Sequence, residues 1–441
     1  MLRYLPPKHQ KVLKLSIPAA INSLLDMLQV ITDLIMVGRL SAFAVAAVGL
    51  GLQSLMFMFA VLTLLHVGTS ALLSRFVGAG QIVRASTGLS TLLQFALLLS
   101  LPFSLAWYLF ASKLYVWFGT APEVVALGVS YVEVLTLMMP FVFMKLVFVS
   151  ALNSAGDTTT PMRVKFLSIL LNVVLNYLLI FGHMGFPAMG VMGAAIGTVV
   201  VNGLEFVVYT ILYLRHKSPY IPVWHYSQSL LMRALRVGLP ASFERSLTFG
   251  SFMLFTMIIA HYGTTILAGY QIGLRLEGLA FMPGIGFTIA AMALMGQGLG
   301  AKKPQQAKED VLLVLKYTSG LMLFLSFFMV GMPEKLVWLF TDDAQTIEAA
   351  SLYLRIVGLS QIPLAFNFVL SGALRGAGES RQTLKINLTS LWLVRIIPAF
   401  VLSWYFESVL FVYLAMISDT FVKAIWLWIT FERGVWQTRK V

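Results

Sequence analysis

The chain contains no cysteine, which excludes disulfide staples and thiolate metal centres and leaves the redox character of its compartment unmarked. Charge is scarce as well: 11% of its 441 residues are Asp, Glu, Lys or Arg, against 59% hydrophobic. So little polar material cannot clothe one or two water-soluble domains, and the medium around most of the chain must be lipid. Acidic residues are the scarcer sign, 18 against 31 basic, for a formal net charge of +13. That excess does not point to nucleic acid, because the basic residues are spread loop by loop rather than gathered on one face. Also missing are the alternating ~10-residue segments of a transmembrane barrel; residues 167–179 and 321–330 are apolar almost throughout. No Asp-Asp-x-x-Asp or His-Glu-x-x-His spacing occurs, so an intramembrane metalloenzyme is not indicated and an enzyme is not expected.

What is present is a series of twelve apolar stretches, at about 12–37, 43–74, 86–111, 123–151, 162–182, 189–214, 232–260, 266–297, 308–331, 345–373, 384–406 and 408–432. Each is long enough to cross a hydrocarbon layer of ~30 Å as a helix rising 1.5 Å per residue. The first lacks the short apolar core and small-residue cleavage site of a removable signal peptide and is expected to persist. Of the basic residues in and beside the connectors, Arg3, Lys8, Lys11, Lys14, Arg75, Arg84, Arg163, Lys165, Arg215, Lys217, Arg233, Arg236, Lys302, Lys303, Lys308, Arg375, Arg381, Lys385, Arg433, Arg439 and Lys440 fall on one side. Only Arg39, Lys113 and Lys335 fall on the other, with the acidic Glu334, Asp342, Asp343 and Glu348. The positive-inside rule then puts both termini in the cytoplasm of a prokaryotic cell, with the protein in its inner membrane.

The two halves repeat. A constant shift of 222 residues carries Pro18 onto Pro240, Gly51 onto Gly273, Gly78-Ala79 onto Gly300-Ala301, Tyr131 onto Tyr353, and 151–157 onto 373–379. Six crossings return the chain to its starting side, so the second half enters in the same orientation as the first: a parallel repeat. The expected architecture is all-α and integral to the membrane, with twelve transmembrane helices in two pseudo-symmetric six-helix lobes. Residues 1–214 form the first lobe, 215–231 a cytoplasmic linker and 232–441 the second, with a binding cavity between them. Pro18 and Pro240, Pro140 and Pro363, and Pro283 and Pro398 are expected to bend or interrupt their helices, as hinges or as static kinks.

Polar residues inside the apolar stretches form stripes. Asn22, Asp26, Gln29 and Asp33 share one face of the first helix at spacings of four, three and four. A centred Asp facing lipid costs about 2.5–3.5 kcal/mol on the lenient scales, so the stripe must face protein or a wet cavity. Out of bulk water a carboxylate's charged form is disfavoured, and protonation, Na⁺ binding and a cationic substrate then compete for it. Ser168, Asn172 and Asn176 recur at successive fours in the fifth helix and Thr198 lies in the sixth, neutral oxygen donors that suit a hard cation or bonds between helices. Glu244, Arg245, Gln271, Arg275 and Glu277 make a second cluster, in which Glu244 and Arg275 are the expected ion pair. His66, Lys145, Glu133, Glu205, Arg355, Arg395, Asp419 and Lys423 read as structural pairs or snorkelling side chains.

In combination, four motifs resemble the multidrug and toxic compound extrusion family: Pro18 to Asp33 followed by Met36-Val37-Gly38; Arg75 through Gly78-Ala79-Gly80; 151–157; and Met282-Pro283-Gly284 through 296–301. The resemblance implies a V-shaped antiporter that exports amphipathic organic cations by alternating access, driven by inward H⁺ or Na⁺. It implies no other cofactor, small-molecule drugs and membrane lipid as partners, no nucleic acid, and a monomer. It assigns ion coupling, including any Na⁺ site, to Asp33, Asn172, Asn176 and Thr198, and leaves Asn22, Asp26, Gln29, Glu244, Thr248, Gln271 and Arg275 to the substrate cavity. Asn176 departs from the family pattern, which has a second Asp in several members; the lower charge count favours protons over Na⁺. Thr248 stands where one branch carries a helix-7 Glu, and Glu244 lies one turn earlier. The alternative is a lipid-linked saccharide flippase of the same superfamily, against which the carboxylates argue.

Overall fold

The computed structural model describes residues 5–54, 56–117 and 119–438, so the connector residues Arg3, Arg439 and Lys440 lie outside the described residues. Twelve helical spans follow one another, with no strand among the described residues. They are α1 (Pro7–Gly38), α2 (Ala42–Ser54 and Met56–Gly78), α3 (Ile82–Trp117), α4 (Pro122–Thr136 and Met139–Ala155), α5 (Thr159–Phe181) and α6 (Gly190–Leu214). The second six are α7 (Gln228–Ala260), α8 (Thr264–Gly300), α9 (Pro304–Gly331), α10 (Ala344–Leu359 and Gln361–Gly376), α11 (Ser380–Tyr405) and α12 (Leu410–Glu432). Most run past the apolar stretches, because a helix continues through polar residues such as Gln228 or Pro304-Gln305-Gln306 once its apolar part is anchored.

The repeat is visible in the contacts. Gly51 in α2 has no Cβ to strike the Tyr131 ring, whose Cδ1 would lie 2.9 Å away, and Gly273 in α8 seats Tyr353 in the same way. The left-handed turn at Gly156 (φ 93°) recurs at Gly378 (φ 89°), where a residue without a Cβ closes a helix end at no steric cost. Both fourth helices are bent, α4 by 51° and α10 by 55°. Pro140 and Pro363 lie in the first turn after each break, where a missing N–H costs nothing.

The other prolines behave differently. Pro18, Pro240 and Pro283 lie inside continuous helices, so the expected interruption of the eighth helix does not occur: neighbouring spans can satisfy the freed carbonyl. In α11 the six residues Leu391–Ile396 wind as a π-helix just before Pro398. That wider turn accommodates the ring against the preceding carbonyls.

Two compact units emerge, one of Ile21–Gly238 and one of Met1–Ala20 with Leu239–Val441. A division at the 215–231 connector would have cut elsewhere; instead the opening turns of α1 and α7 are exchanged, near Pro18 and Pro240. Val12, Leu15 and Ala20 belong to the core built by Ala290, Ala291, Leu294, Val311 and Leu370. Lys11 pairs with Asp310 at 2.8 Å and the His9 ring meets the Tyr317 hydroxyl at 2.7 Å. In the other unit, Gly238 packs against the backbone of Leu64 and Gly68 against that of Ala234, while Arg233 lies over the Phe76 ring at 5.3 Å. The connector belongs to this unit as well: the amides of Ile221, His225 and Ser227 donate to the hydroxyls of Ser86, Ser90 and Thr91 on α3.

Candidate functional site

In the first-half unit, α5 is inside-out. Phe166, Leu167, Leu170, Val174 and Tyr177 are exposed while Ser168, Asn172 and Asn176 are buried, as expected of a helix with lipid on one side and polar neighbours on the other. The α1 stripe meets this face. Asn176 Nδ2 donates to Asp33 Oδ1 at 2.6 Å and to Asn172 Oδ1 at 3.3 Å. Asn176 Oδ1 and Asn172 Nδ2 are buried without partners, and the absent side chain of Gly197 on α6 makes the room that Asn176 Oδ1 occupies. Among the described residues no Lys or Arg pairs with Asp33. An amide is an apt neutral partner, since it can donate to a carboxylate and, turned over, accept from a carboxylic acid.

Thr198, the fourth residue assigned to this centre, donates its hydroxyl to Ala194 O at 3.0 Å within α6. The structure brings Asp33, Asn172 and Asn176 together but gives Thr198 no hydrogen bond to any of them. Among the described residues, no group of three or more His, Cys, Asp or Glu is placed to hold a metal ion. A cation here would rely on Asp33 and amide oxygens.

Two turns along the same faces lies a charged network. Lys165 pairs with Asp26 at 2.7 Å, donates to Gln29 Oε1 at 2.7 Å and lies 4.0 Å from Glu205. Lys145 pairs with Glu205 and donates to Asn202 Oδ1 at 2.6 Å. Reading Lys165 as a connector cation is corrected: it lies within α5 with its side chain 12% exposed, because the Asp26 carboxylate opposite draws it inward. Asp26 therefore shares its charge with a lysine, although its side chain is 56% exposed. Asn22, the first member of the α1 stripe, is half-buried.

In the second-half unit the expected pairing is also corrected. Glu244, buried on α7, pairs with Arg375 at 2.6 Å, not with Arg275, and accepts from Asn387 Nδ2 at 2.6 Å and the Thr383 hydroxyl at 3.4 Å. Arg375 is not a connector cation: it lies in the last turn of α10, which runs three residues past the apolar stretch and turns the guanidinium onto α7. Thr248 returns its hydroxyl to Glu244 O at 2.8 Å. Gln271 and Arg275 are exposed one turn apart on α8, and the exposed Arg245 lies over the Phe249 ring at 4.7 Å. Of the residues expected as structural pairs or snorkelling side chains, Lys145 pairs with Glu205, Arg395 (3.0 Å) and Lys423 (2.9 Å) pair with Asp419, and Arg355 pairs with Glu334.

A duplicated six-helix unit, with ionisable groups held at mid-span by polar helix faces, defines a membrane transport protein of the parallel-repeat class. The MatE family model matches it twice, over residues 18–178 and 240–401. The chain belongs to the MatE family. It is similar to a protein of Thermotoga maritima named as a probable multidrug resistance protein NorM, 31% identical over 99% of this chain and 95% of that one. Two solved structures share the fold. A MOP superfamily transporter from Pyrococcus furiosus superposes with a TM-score of 0.90 at 22% identity, covering 98% of this chain and 97% of that one. An outward-facing multidrug resistance MATE family transporter superposes with a TM-score of 0.87 at 23% identity, covering 100% and 98%.

Proposed function

We propose that the chain is a cation-coupled multidrug efflux antiporter, using H⁺ or Na⁺ and exporting amphipathic organic cations by alternating access. The name of the Thermotoga relative supports the multidrug reading. The observation that carries the ion coupling is Asp33, an intramembrane carboxylate held by Asn176 with no Lys or Arg at ion-pair distance among the described residues. A carboxylate so placed binds either a small cation or a cationic substrate, and competition between them couples the two fluxes through different affinities in two states. Protons are the favoured ion, because Asn176 and Asn172 add dipoles but no second charge. The carboxylate of Asp26 is the proposed first contact for cargo. The protein is placed in the prokaryotic cytoplasmic membrane with both termini cytoplasmic, acting as a monomer.

The deciding experiment is ethidium efflux from proteoliposomes under separately imposed H⁺ and Na⁺ gradients, for the wild type and Asp33→Asn. Efflux driven by one gradient in the wild type and lost in the variant is expected; equal gradient-driven efflux by both refutes the assignment. One observation favours a second reading. Arg245 and Arg275 are exposed within membrane spans without an ion-pair partner among the described residues, which suits cargo bearing an anionic group, as a flippase substrate does.

A further inference from the structure

The opening turns of α1 and α7 make the same kind of joint in their respective units, and its charges differ. In the second-half unit the start of α1 lies on α9, where Lys8 pairs with Glu309 and Lys11 with Asp310 at 2.8 Å. Lys308 of α9 is matched by Glu432 at 2.7 Å. The shift of 222 residues carries Lys11 and Lys14 onto Arg233 and Arg236 at the start of α7, so these cations are kept. The positions of Glu309 and Asp310, however, are taken on α3 by Thr87 and Gly88. Two further cations appear instead: Arg75 stands where the second half has Gln297, and Arg84 where it has Gln306.

The four arginines meet at the turn between α2 and α3. Arg75 ends α2, and Arg84 stands in the first turn of α3, where the positive end of the helix dipole adds to the field. Arg233 lies over the Phe76 ring at 5.3 Å and within electrostatic reach of Arg75, Arg84 and Arg236. Among the described residues neither Arg84 nor Arg236 lies at ion-pair distance from a carboxylate. Thr87 turns its hydroxyl to Val83 O at 3.1 Å, and Asp157, in the turn before α5, accepts from the amide and hydroxyl of Thr160 at 2.9 and 2.6 Å. Like charges gathered at a membrane boundary raise one another's energy, and an anion bound among them lowers it. Guanidinium groups match the geometry of phosphate oxygens. Val83 and Met232, the chain neighbours of Arg84 and Arg233, are apolar and exposed, which suits the acyl chains of a lipid better than a soluble ion.

We propose that Arg75, Arg84, Arg233 and Arg236 form a binding site for the phosphate of an anionic phospholipid. Its headgroup supplies to the first-half unit the counter-charge that Glu309 and Asp310 supply to the second, and it ties the start of α7 to α2 and α3. Val83 and Met232 border its acyl chains. The site is independent of what the protein exports and of the ion that drives it.

Native mass spectrometry of the full-length protein in detergent, titrated with phosphatidylglycerol, counts bound lipids and measures their affinity. The wild type is expected to hold one molecule more tightly than the rest, and more tightly than phosphatidylcholine, whose choline cancels the phosphate charge. Arg84→Gln with Arg236→Gln removes two exposed cations and should weaken that site about twentyfold, at about fivefold for each cation. Thr87→Glu keeps all four arginines, installs the carboxylate of the other joint and should weaken it severalfold. Lys302→Gln with Lys303→Gln, a loss of two exposed cations from the equivalent turn of the second-half unit, should leave it unchanged. No tight site in the wild type, full affinity in either site variant, or an equal loss in the Lys302 and Lys303 control overturns the proposal. Inorganic phosphate separates the two sources of the anion. Phosphatidylglycerol should raise the unfolding midpoint even in excess phosphate; phosphate that displaces the lipid and stabilises the protein equally makes this a site for a soluble anion and overturns the lipid assignment.

Discussion

Replacing Arg375 by Met isolates the cost of an unpaired charge in this membrane protein. The side chains of Glu244 and Arg375 are 8% and 18% exposed and meet at 2.6 Å. Removing one partner of a buried pair costs about 3–5 kcal/mol, because the other charge is left desolvated. Here Asn387 and Thr383 continue to donate to Glu244, and a hydrogen bond to a charged group contributes about 1.5–3 kcal/mol. Arg375→Met should therefore fall near the lower end, about 3 kcal/mol. Glu244→Gln should cost less, about 1–2 kcal/mol, since the freed guanidinium sits at the last turn of α10 and can turn to water. In the double variant a neutral amide faces neutral donors, and most of the loss from Arg375→Met should be recovered. Reversible unfolding in detergent, followed by tryptophan fluorescence, measures all three. A double variant no more stable than Arg375→Met refutes the reasoning and assigns the cost to the lost packing of the arginine stem.

Gly197→Ala puts a methyl group on Asn176 Oδ1; the amide must leave Asp33, so gradient-driven dye efflux should fall at least severalfold while the unfolding midpoint moves little. Gly51→Ala and Gly273→Ala each push a methyl group into a buried tyrosine ring and should destabilise by about 1–3 kcal/mol through overpacking; a neutral result at both, in the same unfolding assay, would show that the rings have room to move. Asp343, at the start of α10, accepts from the Thr346 amide at 2.9 Å and from its hydroxyl, which holds its carboxyl below the usual range. Its contribution is thus present above the ordinary carboxylate pKa and lost as pH falls through the lowered value, so amide exchange at Thr346 should quicken on acidification in the wild type but be pH-insensitive beyond the intrinsic rate in Asp343→Asn.

The helices and their duplication were legible because lipid imposes a length and a composition on every span, and because a single shift aligned Gly51 with Gly273 and Gly156 with Gly378. The α1 and α5 stripes were legible for the same reason: helical spacing alone placed Asp33 and Asn176 on single faces. Partners were not. Glu244 could have met Arg275 or Arg375, and only the course of α10 and α11 past α7 chose between them. Lys165 read as a connector cation because charge at the edge of an apolar stretch marks a boundary as readily as a buried pair. Thr198 had the right residue type in the right helix, yet its hydroxyl turns to its own backbone. Nothing local in the sequence announces the exchanged ends of α1 and α7.

That exchange bears on biosynthesis. Val12, Leu15 and Ala20 on α1 have their packing partners in Ala290, Leu294, Val311 and Leu370, which leave the ribosome hundreds of residues later. Until then, Val12 and Leu15 must wait in lipid or against a chaperone, and neither half of the gene encodes a self-sufficient folding unit. Separately expressed halves should be degraded alone yet rescue one another when produced together.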